Sequence, residues 1–143
     1  MSDEVFTPYD IRGTIKEGVS LEVAWNIGKA LADWLPTFGV VAVANTEGAA
    51  NQLVQSVIEG VRLQGRDVVP RQGDKTALVQ LIQSAGYSGG IYLGYDEVST
   101  RAIIELYGEA GQAITAENGL NDIAELVRGG NFVPAIDKGH LVE

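Results

Sequence analysis

Val40-Val-Ala-Val-Ala44 is the stretch that decides the fold. It is short, wholly apolar and rich in β-branched residues, a pattern that suits a strand buried on both faces. Such a strand belongs in a sheet covered by helices, and the flanking sequence supplies them. Upstream, Leu21, Ala24, Trp25, Gly28, Leu31, Ala32 and Leu35 keep the 3.6-residue period. They predict a helix over Leu21 to Leu35, capped by Ser20 and stopped by Pro36. Downstream, Ala50, Leu53, Val54, Val57, Ile58 and Val61 predict a second helix, with Gly65 just past its end.

The alternation continues. Asp67-Val-Val-Pro70 is a second short strand whose proline suggests its end. Arg71 to Lys75 is a loop. Leu78, Leu81, Ile82 and Ala85 mark a third helix, closed by Gly86. Gly90-Ile-Tyr-Leu-Gly94 is a third strand, Tyr95 to Arg101 a polar loop, and Ala102 to Tyr107 a fourth strand. Leu120, Ile123, Ala124 and Val127 mark a last helix before Gly129-Gly130. The loop before the fourth strand is too short for a crossover, so that strand is expected to run antiparallel. The predicted class is α/β, a three-layer α/β/α sandwich with a mainly parallel sheet and one antiparallel strand. Residues 1–130 form the expected domain and 131–143 a linker-like tail.

Composition narrows the function. The 143 residues correspond to one domain. Ten Lys and Arg against 19 Asp and Glu give a net charge of −9, which disfavours nucleic acid as a partner. There is no cysteine, which excludes disulfides, Cys-ligated zinc and thiol nucleophiles. The single histidine, His140, stands apart from the polar clusters and reads as a free tail imidazole. No apolar run approaches the ~20 residues of a membrane span, and no secretory signal follows the acidic start. The expected location is the cytoplasm.

In such sheets ligands bind beyond the carboxyl ends of the strands. Asn45 to Gly48, Arg71 to Lys75 and Gly94 to Arg101 line that edge. No P-loop and no G-x-G-x-x-G occurs. The densest polar cluster is Tyr95-Asp-Glu-Val-Ser-Thr-Arg101. Asp96 and Glu97 there are candidates for Mg²⁺ binding or acid–base work, and Ser99 or Thr100 for phosphorylation. The alternative is a solvated loop in which Asp96 or Ser99 caps a turn. Arg12, in Tyr9-Asp-Ile-Arg-Gly13, is suited to bidentate phosphate binding or to a surface ion pair with Asp10. Trp25 lies on the apolar stripe of the first helix and is expected in the core.

Phe6-Thr-Pro-Tyr-Asp-Ile-Arg-Gly13 is close to the opening F-x-x-Y-D-I-R-G of the α-D-phosphohexomutases, the phosphomannomutase/phosphoglucomutase group. From Phe6 to about Glu143 the chain resembles the N-terminal domain, domain I, of that family. Ile58 to Val69 is similar to its second helix and strand, and Ile104 to Thr115 to the strand and hairpin that follow. Thr76 sits where the family has Thr-Pro, with Ala77 replacing the proline. The resemblance implies phosphate or substrate contacts at Tyr9 and Arg12 and a role for Mg²⁺; Lys75 and Arg101, in the loops at the same sheet edge, are candidate further contacts.

The departures are specific. The family carries T-A-S-H-N-P in a loop whose serine bears the transferred phosphoryl group. Here that run reads Gly94-Tyr-Asp-Glu-Val-Ser99, so Asp96 falls on the serine and Glu97 on the histidine. The family's G-R-D after the first central strand is Ala44-Asn45-Thr46. The resemblance places the metal motif D-G-D-G-D-R and the sugar-recognition loop in other domains, and neither is in this chain. Two unit charges about 4 Å apart repel by ~4 kcal/mol at an effective dielectric of 20, so Asp96 and Glu97 oppose a sugar phosphate unless Arg12, Lys75, Arg101 or a metal offsets them. Three functional readings follow. The chain is a catalytically inactive binding or interaction module, meeting a second copy or a protein partner through the surface that would face domain II. Alternatively it is the N-terminal piece of a split phosphohexomutase, or a small phosphosugar or metal sensor.

Overall fold

The computed structural model describes residues 5–15, 18–46 and 51–142. Glu47, Gly48 and Ala50, which enter the loop and helix expectations above, lie outside them. Among the described residues five strands and four α-helices follow in order. They are β1 (Ile11–Gly13), α1 (Leu21–Trp34), β2 (Val41–Asn45), α2 (Asn51–Leu63), β3 (Val68–Gln72), α3 (Lys75–Ala85), β4 (Gly89–Asp96), β5 (Arg101–Tyr107) and α4 (Leu120–Gly129). The sheet order is β1-β5-β4-β2-β3. β2 pairs parallel with β3 and β4, while β5 is antiparallel to β4 and β1. Four strands therefore run one way and β5 against them.

The three layers are unequal. α1, α2 and α4 share one face, where Ile27, Leu31, Leu53, Val57 and Ile123 meet Val43, Ile91, Leu93 and Ile104. α3 alone covers the other, placing Leu78 and Ile82 on Ala42 and Ala44. The all-apolar composition of β2 follows from this: Val41 and Val43 face three helices, Ala42 and Ala44 face one. α1 and α2 cross with their backbones in contact. A Cβ at Gly28 would lie 2.4 Å from the Val57 carbonyl oxygen, and one at Gly60 2.1 Å from that of Trp25.

The end of α1 depends on a side chain from another element. Leu35 leaves the helix with φ −58° and ψ 130°, the extended conformation that a following proline favours. Pro36 has no N–H to offer the Ala32 carbonyl. Arg66 Nε donates to that oxygen at 2.7 Å. The rest of its guanidinium reaches Leu35 O at 3.1 Å, Thr37 O at 2.8 Å and Gly39 O at 3.2 Å. Arg66 is buried beneath Phe38.

Several sequence expectations are corrected. Ile11–Gly13, expected as an extended piece before a turn, is a fifth strand, because it pairs with β5 from Ile11↔Ile104 to Gly13↔Ala102. The second expected strand does not stop at Pro70 but runs to Gln72. β3 is an edge strand: Gly73 N–H donates inward to Asn45 O, whereas Val68 N–H donates outward to His140 O. By strand alternation Pro70 shares the outward side of Val68, where β2 needs no donor. The third strand continues through Asp96 and the fourth begins at Arg101. Trp25, expected in the core, is half-buried with Lys29 Nζ 3.2 Å above its ring. Trp34 instead packs against the main core.

The segment from 131 to 142 holds no long element yet is fastened to α2 and β3. Ala135 N–H donates to Leu63 O and Gly139 N–H to Arg62 O. Lys138 pairs with Glu59 at 2.6 Å. Leu141 forms a parallel bridge with Val68, and Val142 N–H donates to Val68 O. His140 is held through its backbone, with its N–H on Asp67 Oδ1 and its side chain exposed.

Candidate functional site

The fold gathers polar side chains on the face that α3 leaves open. On β1, Ile11 is buried among the α1 and α2 core, so Arg12 points to the opposite face. On β5, Ala102, Ile104 and Leu106 join that same core, which puts Ile103, Glu105 and Tyr107 beside Arg12. Arg12 stands opposite Ile103 in the β1–β5 register. α3 begins at Lys75, whose Nζ lies 3.7 Å from Glu105 Oε1.

Arg12 is tightly positioned. Its Nε donates to Asp10 Oδ1 at 3.1 Å and Oδ2 at 3.0 Å, and its second nitrogen lies 2.9 Å from Oδ2. Asp10 is buried and also accepts the Thr7 hydroxyl at 2.7 Å. This carboxylate, with Glu105 and Asp96 nearby, holds the Arg12 guanidinium above its ordinary pKa. The side chain remains 44% exposed, so part of the fork faces solvent. Tyr107 is buried, and its phenol donates to Glu105 Oε2 at 3.0 Å. Burial first, then Glu105, raise its pKa beyond the ordinary tyrosine range, so it stays protonated.

Asp96 closes a hairpin. It pairs with Arg101, leaving only Glu97 to Thr100 between β4 and β5. Its carboxylate accepts the Ser99 hydroxyl at 2.9 Å and Val98 N–H at 3.0 Å. These bonds, Ser99 first, hold its pKa below the usual aspartate value. Thr100 completes the turn at φ +54°. The turn capping by Asp96 that the sequence offers as one reading of this loop is present. Glu97 and Arg101 are exposed beside it, and Tyr9 is exposed on the approach to β1. The structure thus sets Arg12 between Asp96 and Glu105, with Lys75 on Glu105, and leaves Tyr9, Glu97 and Arg101 at the rim. Three cations, Arg12, Lys75 and Arg101, face four carboxylates, Asp10, Asp96, Glu97 and Glu105. Among the described residues no group of three or more acids or histidines is placed to hold a metal ion.

Sequence reasoning missed Glu105 and Tyr107. Their signal was present: Ile103, Glu105 and Tyr107 alternate with Ala102, Ile104 and Leu106, and a carboxylate inside a central strand requires partners.

No family model matches the chain. A phosphomannomutase of Salmonella montevideo is 26% identical over 135 residues, which cover 92% of this chain and 29% of that protein. The phosphomannomutase of Escherichia coli K12 is 25% identical over 132 residues, 90% of this chain and 29% of that protein. The fold matches a phosphoglucomutase/phosphomannomutase family protein from Burkholderia thailandensis with TM-score 0.80, at 22% identity, over 99% of this chain and 33% of that one. Over most of its length the chain is thus similar to phosphomannomutases, and its fold is that of a phosphoglucomutase/phosphomannomutase family protein over about a third of the latter's length. It spans 29% of the length of the curated relatives. The phosphohexomutase resemblance drawn from Tyr9-Asp-Ile-Arg-Gly13 agrees with this. Asp96, which the resemblance sets on the phosphoserine of the phosphohexomutases, is here the residue that closes the β4–β5 hairpin.

Proposed function

We propose that this phosphohexomutase-like domain is a cytoplasmic binding or interaction module that transfers no phosphoryl group by itself. The observation that carries the reading is the β4–β5 hairpin. At the position where the resemblance expects a free serine, Asp96 spends its carboxylate on Val98 N–H and the Ser99 hydroxyl. A nucleophile needs a lone pair free and a base or metal beside it. At Asp96 each carboxylate oxygen already accepts a hydrogen bond from the hairpin, and no group of three acids or histidines among the described residues stands there to hold a metal. Intact-mass measurement after incubation with hexose 1- and 6-phosphates and Mg²⁺ tests this. An unmodified chain is expected, and a phosphoryl adduct on Asp96 or Ser99 would overturn it.

The interaction half of the proposal draws on exposed apolar side chains around the turn from Gln64 to Val68. Phe38 lies over Arg66, the Val133 carbonyl takes the Gln64 amide, and Leu141 bridges Val68. Phe38, Val133 and Ile136 are each at least 80% exposed. A second copy or a protein partner is proposed to cover them. Sedimentation should give a concentration-dependent dimer that Phe38→Ser with Ile136→Glu abolishes; a monomer at every concentration would count against self-association.

A second reading is favoured by the orientation of Arg12. Asp10 fixes the guanidinium as a phosphate-binding fork, so phosphosugar recognition at this edge is the alternative. Amide shifts at Tyr9 to Gly13 on titration with hexose phosphates would support it. Mutase activity on mixing with the domains its relatives carry would identify the chain as one piece of a split enzyme.

A further inference from the structure

The far edge of the sheet carries a second cavity, separated from Arg12 by the intervening strands. A groove of about 290 Å³ opens between α2 and the carboxyl ends of β2 and β3. Four carboxamides line it: Asn45, Asn51, Gln55 and Gln72. Val54, Ile58 and Pro70 are its apolar lining, and Arg71, which leaves β3 on the α3 face and turns back to Pro70 O, reaches its rim. Among the described residues no carboxylate lines it, in a chain of net charge −9.

These groups are available. The side chains of Gln55 and Gln72 hold no hydrogen bond within the described protein. Asn45 Nδ2 makes only long contacts, 3.3 Å to Thr46 O and 3.5 Å to Asn51 Oδ1. Arg71 is exposed and donates to Pro70 O at 2.9 Å, with its other donors uncommitted. The groove lies where parallel sheets bind ligands, and its size is at the small end of the roughly 300–1,000 Å³ typical of ligand pockets.

The geometry points to a site for a small polyhydroxylated carboxylate, which we propose as a ligand class for this groove. Each carboxamide offers a donor and an acceptor side by side, the complement of neighbouring hydroxyls. Val54, Ile58 and Pro70 suit the C–H face of such a molecule. One planar guanidinium matches one carboxylate, and no second described cation is present for a phosphate dianion. The proposal uses no residue of the Arg12 and Asp96 cluster, so it stands or falls separately from the proposed function.

Titrating the ¹⁵N-labelled full chain with gluconate, glucose and inorganic phosphate tests it. Gluconate should give saturable shifts at Asn45, Asn51, Gln55, Arg71 and Gln72, including their side-chain NH₂ signals. Arg71→Met, at an exposed position, should weaken gluconate binding about tenfold or more and leave the weaker glucose binding unchanged. Gln72→Ala should weaken both sugars. Three results would each overturn the assignment: no saturable shift at tens of millimolar gluconate, shifts confined to Tyr9–Gly13 and the β4–β5 hairpin, or an Arg71→Met variant that binds gluconate as well as the native chain.

Discussion

Replacing Arg66 by methionine keeps the aliphatic bulk and removes four donors from the end of α1. The oxygens concerned belong to Ala32, Leu35, Thr37 and Gly39, at 2.7 to 3.2 Å. Hydrogen bonds from a charged donor contribute about 1.5–3 kcal/mol each, and they do not add. Two effects work in opposite directions. Removing the charge recovers desolvation of several kcal/mol, a penalty visible in the way burial lowers the Arg66 pKa. Against this, Ala32 O has no helical donor to return to, because residue 36 is proline. The 1.5–3 kcal/mol per bond is already net of that desolvation, so three or four such bonds, together worth less than their sum, give a loss of about 3–5 kcal/mol. That is a large part of the roughly 5–15 kcal/mol that a domain possesses. Urea unfolding followed by the fluorescence of Trp25 and Trp34, both on α1, measures it. With a slope of about 2 kcal/mol per molar, the midpoint should fall by roughly 2 M. Arg66→Lys should recover only part of the loss, since an ammonium cannot span four oxygens. A methionine variant within about 1 kcal/mol of the native chain would refute the reasoning and mean that water satisfies these carbonyls.

Other substitutions probe the remaining features. Gly60→Ala forces a methyl to within 2.1 Å of the Trp25 carbonyl and should lower stability by about 3 kcal/mol in the same unfolding assay. Thr100→Gly relieves a left-handed β-branched residue and should raise stability by about 1 kcal/mol, read as a higher midpoint. Lys138, then Arg62, hold the Glu59 carboxyl below its ordinary 4.5, so this contribution is complete above that pH and disappears as pH falls through the folded value. The pair is partly exposed, so its contribution is about 0.5 kcal/mol. Amide exchange at Gly139 and His140, corrected for intrinsic rates, should quicken across that fall, and Glu59→Gln should remove the pH dependence.

What was legible in the sequence divides by range. Val41–Asn45 was readable because burial on both faces leaves a wholly apolar run, and α1, α2 and α4 because each carries one apolar stripe. β1 was not, since three residues show no period and become a strand only by pairing with β5, some ninety positions along the chain. Pro70 misled for a related reason: a proline ends a strand unless its missing N–H falls on a free edge, and sheet order is not local information. Arg66, in a Gly-Arg-Asp turn, has the local signature of a surface residue; only the tertiary fold brings four carbonyls to it. At the candidate site, Arg12 and Asp96 were found by motif. Glu105 was passed over because β5 was read for its apolar positions alone.

Pro70 has a consequence for the protein in concentrated solution. A sheet end is a template on which another chain can add a strand and begin to aggregate. Here one end is β1, too short to template much. At the other, the chain's own Leu141 occupies the first position of β3, and the next outward position offers no donor and a carbonyl that Arg71 already engages. Pro70 lacks the hydrogen, and the Arg71 guanidinium competes for its oxygen. An incoming strand would therefore lose its hydrogen-bond register one step past Leu141. Pro70→Val would restore that donor, and the expected result is a chain that still folds but precipitates at lower concentration, with light scattering on storage as the readout.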